Sequence, residues 1–141
     1  MLASSGQTVV LTNGCFDLLH PGHIHTINES ARLGDVLVVA VNSDASIRRI
    51  KGAGRPIEPL SLRIEKLSNL DAIDFIVVFQ KDTPLSLIEE LSPDVLAKGG
   101  DYTIDEIVGS STVAAQGGIV TTIPYLEGYS TSDQVSSKQR S

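Results

Sequence analysis

Short apolar runs alternate with helical patterns along this chain, and that alternation sets the fold class. Thr8–Thr12 reads as a first strand. Pro21–Leu33 reads as a helix with Ile24, Ile27, Ala31 and Leu33 on its inner face, and Gly34 is placed to end it as a C′ residue. Asp35–Asn42 is a continuous, largely β-branched run, the mark of a strand buried on both faces of a parallel sheet. A short helix is expected after Ser43 and Asp44, then a Gly/Pro loop over Lys51–Pro59 and a helix over Leu60–Leu70. Ile73–Phe79 reads as the third strand. Pro84–Leu91 reads as a helix with Leu85, Leu87, Ile88 and Leu91 apolar. Asp94–Lys98 and Ile119–Ile123 complete five strands. Strands separated by helices predict βαβ units and an α/β fold: a Rossmann-like, doubly wound, five-stranded parallel sheet.

The chain has 141 residues, which predicts one domain with a core over about 8–135 and a polar tail. A formal charge of −6 argues against a general nucleic-acid-binding surface, though not against a local cationic cluster for a nucleotide. Cys15 is the only cysteine, so no intrachain disulfide forms and a reducing cytoplasm is expected. Met1–Thr8 lacks the basic and apolar regions of a signal peptide, and no apolar run approaches the ~20 residues of a membrane span.

In doubly wound folds, ligands bind at the carboxyl ends of the strands. Three segments follow strands and so converge there: the histidine pair, Lys98-Gly99-Gly100, and Ser130-Thr131-Ser132. The richest is Asn13-Gly14-Cys15-Phe16-Asp17-Leu18-Leu19-His20-Pro21-Gly22-His23. Pro21 suits the first position of a helix, which makes His20 the N-cap and puts His23 one turn in on the same face. Free N–H groups and the positive helix end point the same way, so strand, turn and helix make a polyphosphate site.

Other residues are read against plainer roles. Cys15 is expected to pack near the phosphates rather than act as a nucleophile. Asp17 either orients the loop or helps position Mg²⁺. His25 points away from His23 on a helix, so Cys15, His20, His23 and His25 do not read as a zinc site. Lys51 is expected to contact phosphate, and Arg55 the acceptor; Arg63 either lies on a helix surface or reaches inward to phosphate. Gly99 and Gly100 let backbone approach a base or ribose, and Asp101 can accept from a ribose hydroxyl. Glu127, Gly128, Ser130, Thr131 and Ser132 form a turn with hydroxyls at a helix start, read as phosphate-binding beyond simple capping.

The His-Pro-Gly-His element resembles the HxGH signature of the cytidylyltransferase-like nucleotidyltransferases. Together with Asn13–Asp17, Val41–Asp44, the Gly52–Pro56 loop, Lys98–Tyr102 and Glu127–Thr131, it is similar to the heptose 1-phosphate adenylyltransferases. Those occur as the C-terminal half of a bifunctional kinase/adenylyltransferase or as separate short proteins, and the chain looks like the separate form. The resemblance covers Val9 to about Val135. It implies ATP and D-glycero-β-D-manno-heptose 1-phosphate as substrates, with Mg²⁺ held mainly by the triphosphate, and ADP-heptose and pyrophosphate as products. His20, His23 and Lys51 would be catalytic. Asn13–Asp17, Gly22, Lys98–Asp101, Glu127, Gly128 and Ser130–Ser132 would bind the nucleotide, and Lys51, Arg55 and Arg63 the acceptor. It further implies a homodimer, with a heptose 7-phosphate kinase and a bisphosphate phosphatase as pathway partners.

The glycerol-3-phosphate cytidylyltransferases are the second resemblance. They carry Arg where this chain has Tyr125 and Thr where it has Cys15. A nucleotide-binding module without catalysis is a third reading, which His20, His23 and Lys51 oppose. Two departures from the heptose pattern are Ser132 in place of a second Thr and the short polar tail; the Ser/Ala-rich stretch Gly109–Gln116 further bears on acceptor specificity.

Overall fold

Three aspartates stand immediately before strands, and each ties its strand to a neighbour. Asp35 Oδ2 accepts the Thr8 N–H at 2.8 Å, Asp94 Oδ2 the Val9 N–H at 2.8 Å, and Asp74 Oδ2 the Leu37 N–H at 2.8 Å. The strands are β1 (Val9–Gly14), β2 (Val36–Asn42), β3 (Phe75–Phe79), β4 (Val95–Gly99) and β5 (Ile119–Ile123). They form one sheet in the order β3-β2-β1-β4-β5, every pair parallel. The computed structural model describes residues 6–100 and 102–124.

Helices α1 (Pro21–Ala31), α2 (Asp44–Lys51), α3 (Leu60–Ser68), α4 (Leu85–Leu91) and α5 (Ser110–Ala115) connect the strands. Alternation along the strands builds a core on each face. Val9, Leu11, Val38 and Leu96 pack with Ile88 of α4 and Val113 of α5. Val10, Leu37, Val39 and Ala97 pack with Ile27 of α1 and Leu67 of α3. All seven residues of β2 are buried, as expected for a strand covered on both faces. The doubly wound α/β architecture is the one expected.

Two local readings need correction, and one segment gains a structure the sequence reading had not assigned. Helix α1 ends at Ala31, and Leu33 is exposed; Thr26 and Ser30 are buried instead. Their hydroxyls bond back to the helix, Thr26 Oγ1 to Gly22 O and Ser30 Oγ to Thr26 O, so polar side chains can face the sheet. Gly34 does not end α1 in a left-handed turn. A Cβ there would lie 2.8 Å from Thr8 O and from Val10 Cγ2, so glycine is required by close packing against β1. Finally, Gly109–Gln116, read only as Ser/Ala-rich, contains α5, the crossover that the parallel β4–β5 pair demands.

Candidate active site

The strand order reverses between β1 and β4, the position where doubly wound sheets open a crevice. A cleft of about 540 Å³ lies there, lined by Asn13, Gly14, Cys15, Phe16 and Asp17 from the end of β1 and its loop. His20, Gly22 and His23 line it from the start of α1, Lys51 from the end of α2, and Lys98 and Gly99 from the end of β4.

The loop between β1 and α1 is tightly wound. Phe16 and Leu18 both adopt left-handed backbone, with φ of 51° and 60°, which costs about 1–3 kcal/mol at each residue. The turn buries the Phe16 ring and sets it edge-on to His23, with centroids 5.5 Å apart. Helix α1 then begins with a reciprocal cap. His20 Nδ1 accepts the Gly22 N–H at 3.1 Å, and His23 Nδ1 accepts the His20 N–H at 3.3 Å. The two rings stack with centroids 3.8 Å apart. Because both Nδ1 atoms accept, each neutral ring carries its proton on Nε2.

Electrostatics keep the rings neutral. Burial lowers the pKa of His20. Burial first, then the charges of His20 and Lys51, lower that of His23 to about 4, against a smaller opposing pull from Asp17. Lys98 Nζ donates to Asn13 O and Asn13 Oδ1, both at 3.3 Å, and sits 5.8 Å from the Tyr102 ring centroid. Burial lowers the pKa of its ammonium, Cys15 opposes that, and Lys51 adds to it. The cleft therefore holds cationic groups that burial and mutual repulsion disfavour, the condition a bound anion relieves.

Asp17 orients the loop. Its Oδ1 accepts the Glu58 N–H at 2.8 Å, and its Oδ2 accepts the Ile57 N–H at 2.8 Å and Arg55 Nε at 2.9 Å. Burial alone would raise its pKa; the N–H bonds of Ile57 and Glu58, then Arg55, outweigh it and hold the carboxyl below its usual value. Arg55 pairs with Asp17 through Nε, while its Nη2 is buried without a protein partner among the described residues, and it lines a neighbouring depression rather than the main cleft.

Arg63 is not on the helix surface, one of the two places expected for it. It is fully buried and reaches inward, but to protein rather than phosphate. Nη1 donates to Cys15 O and Asn42 O, Nε to Glu58 O, and Nη2 to Asp44 Oδ1 at 2.7 Å. It bolts the turn after β1, the end of β2 and the Gly/Pro loop together beneath the cleft. Gly99 also has a packing role, since a Cβ there would lie 2.6 Å from Thr26 Oγ1; Gly100, at φ 124°, turns the chain away from β4.

Cys15 Sγ lies 3.6 Å from Asn42 Oδ1, at the mouth of β2, and His25 does not line the cleft. Asp101, Glu127, Gly128, Ser130, Thr131 and Ser132 lie outside the described residues. The sequence reading missed the lining residues Phe79, Asp82 and Thr83, and gave no site role to Asn42 and Tyr102, which it noted only within motifs. Asn42 and Phe79 end strands β2 and β3, a position that could have flagged them.

The cytidylyltransferase-like family model matches residues 11–136, most of the chain. The chain belongs to the cytidylyltransferase-like family. It is 50% identical over 129 residues to the bifunctional protein HldE of Nitrosococcus oceani, covering 92% of this chain and 27% of that protein. With the bifunctional protein HldE of Hydrogenovibrio crunogenus it shares 54% identity over 132 residues, 94% of this chain and 28% of that one. The chain thus spans little more than a quarter of the length of these relatives. A crystal structure of the lipopolysaccharide core biosynthesis protein from Thermoplasma volcanium superposes with a TM-score of 0.70 at 32% identity, covering 89% of this chain and 100% of that one. As a member of this family the chain is a nucleotidyltransferase. No described helix is long and apolar enough to cross a membrane.

Proposed function

We propose that the chain transfers AMP from ATP to D-glycero-β-D-manno-heptose 1-phosphate. The observation that carries the transfer chemistry is the pair of neutral, stacked imidazoles beside Lys51 and Lys98 in one cleft. The similarity to HldE over more than nine-tenths of the chain supports the choice of acceptor.

An oxygen of the acceptor phosphate attacks the α-phosphorus in line; the new P–O bond forms as the bond to the β-phosphate oxygen breaks, and pyrophosphate leaves with that electron pair. His20 and His23 donate from Nε2 to phosphate oxygens as charge builds. Lys98 and Lys51 neutralise phosphate charge on either side. Asn13, Gly14, Cys15, Gly22 and Gly99 bring backbone close to the nucleotide, and Phe16 and Asp17 shape the loop that carries them. Asp101, Glu127, Gly128 and Ser130–Ser132 belong to the proposed nucleotide site by resemblance alone.

Among the described residues no group of three or more His, Cys, Asp or Glu side chains is arranged to hold a metal. Both oxygens of Asp17 already accept hydrogen bonds. We propose that Mg²⁺ arrives on the triphosphate and offsets its charge. We place the reaction in the cytoplasm, in a homodimer. A kinase and a phosphatase acting on heptose phosphates are the enzyme classes that must supply this acceptor.

The test is pyrophosphate release with Mg²⁺, pairing ATP, CTP and GTP each with heptose 1-phosphate and glycerol 3-phosphate. Release with ATP and heptose 1-phosphate alone supports the reading. Release with CTP and glycerol 3-phosphate moves the chain to the glycerol-3-phosphate cytidylyltransferases, and nucleotide binding without release on any pair makes it a binding module.

A further inference from the structure

Helix α2 holds the loop between β3 and α4 along its length. Ser43 N–H donates to Phe79 O at 3.0 Å, and Ser46 Oγ to Lys81 O at 2.9 Å. Arg49 donates from Nη2 to Gln80 O and from Nε to Asp82 Oδ1, the latter at 2.7 Å. Asn42 Nδ2 in turn donates to Ser46 Oγ at 3.1 Å, so the brace runs back to the end of β2. The far end of the same helix presents Ile50 and Lys51 to the cleft, while the braced loop presents Asp82 and Thr83. One rigid unit therefore carries a cation and a carboxylate into the same cavity.

Those two groups select opposite ends of a ligand. A carboxylate repels phosphate, and it accepts hydrogen bonds from hydroxyls. Arg49 engages one Asp82 oxygen, and a carboxylate offers about four lone-pair sites. Thr83 Oγ1 accepts the Leu85 N–H at 3.4 Å, which leaves its own O–H to donate. The buried Phe79 ring and Pro84 supply an apolar floor beside them. Nothing in phosphate binding calls for an acid here, whereas recognition of a polyhydroxylated acceptor does.

We infer that Asp82, with Thr83, is the acceptor-specificity determinant: it accepts hydrogen bonds from sugar hydroxyls while the acceptor phosphate lies toward Lys51. This rests on the proposed sugar-phosphate acceptor and names the residues that read its sugar. A site built to hydrogen-bond a hydroxyl discriminates strongly against analogues lacking it.

The test is steady-state pyrophosphate release by the wild-type chain and by Asp82→Ala, Asp82→Asn and Thr83→Val. The donor is ATP, and the acceptors are heptose 1-phosphate and β-D-mannose 1-phosphate, which lacks the additional hydroxylated carbon. Asp82→Ala is expected to raise the KM for heptose 1-phosphate about tenfold or more, to leave the KM for ATP within about twofold, and to narrow the preference for heptose over mannose. Asp82→Asn serves the same comparison if the alanine variant does not fold. An unchanged acceptor KM, or acceptor and ATP KM values that rise together, overturns the inference and leaves the proposed function standing. Wild-type inactivity on both sugar phosphates overturns the proposed function, and the inference with it.

Discussion

Asp17 and Glu58 each hold the backbone beside the other. The Asp17 carboxylate accepts the Glu58 N–H at 2.8 Å, and the Glu58 carboxylate accepts the N–H of Leu18, next to Asp17, at 3.0 Å. Lys66 pairs with the second Glu58 oxygen. Two loops that are forty residues apart in sequence become one layer under the phosphate cleft, and the strained turn at Phe16 and Leu18 is held in place by it.

Asp17→Ala should therefore destabilise the fold by about 3 kcal/mol, since it leaves two backbone N–H groups and Arg55 without their acceptor. Urea unfolding measures this. The pH dependence has a definite sign. The folded pKa of Asp17 is held below its ordinary value of 3.8, so the carboxylate's contribution is present above that value and is lost as pH falls through the folded pKa. The wild type should lose stability in that acid window more steeply than Asp17→Asn. Equal acid profiles for the two proteins would show that the carboxylate holds nothing.

Arg63 separates a structural role from a substrate-binding one. Its four hydrogen bonds all go to protein, three of them to backbone carbonyls. Lysine cannot reproduce that planar fork, so Arg63→Lys should cost about 2–4 kcal/mol and lower the melting temperature. In the fraction that folds, the acceptor KM should stay near the wild-type value. A selective rise in acceptor KM at unchanged stability would restore the phosphate-binding role.

These residues also show what the sequence made legible. Short apolar and β-branched runs disclosed all five strands, because a strand covered on both faces of a parallel sheet is apolar along its length. The reading of His20 as N-cap followed from Pro21, whose fixed φ and missing N–H mark the first helical position. Arg63 was ambiguous because helix periodicity says which face is buried, not which carbonyls from distant loops meet it there. Gly34 was misread for a related reason: local pattern suggests a helix end, while the atoms that exclude a side chain belong to β1, over twenty residues earlier. Asp82 left no local signal at all, since its place in the cleft depends on α2 bracing the loop that carries it.

Gly99 and Thr26 fix how closely α1 approaches β4. A methyl group at Gly99 would meet Thr26 Oγ1 at 2.6 Å and Cγ2 at 2.8 Å, but Thr26 Cβ only at 3.3 Å. Gly99→Ala should cost about 1–3 kcal/mol and shift the helix that carries both histidines. Removing Oγ1 and Cγ2 opens the space, so Thr26→Ala should recover much of the loss. A double-mutant cycle reads the coupling; purely additive effects would mean that the two residues do not set the helix position.

The histidine pair yields the sharpest prediction, because its protonation and its hydrogen bonds are linked. His20→Ala or His23→Ala should each lower kcat/KM by about 10²–10³, the typical loss when a donor to a charge-developing oxygen is removed. The loss of the reciprocal cap adds about 1 kcal/mol of instability. His23→Asn separates the two, since an amide oxygen can still accept the His20 N–H while the Nε2–H donor is gone; stability should recover and turnover should not. With its folded pKa lowered to about 4 from 6.5, His23 stays neutral at physiological pH and should contribute no inflexion to the rate profile between about pH 6 and 8. Between the two values the unfolded chain binds a proton that the folded chain does not, so stability falls as pH drops through that window, by something on the order of 2 kcal/mol. Unfolding measured at pH 7.5 and 4.5 for wild type and His23→Asn checks the sign. If the variant loses as much stability on acidification as the wild type, the ring titrates normally, and the rate profile should then carry its inflexion near pH 6.5.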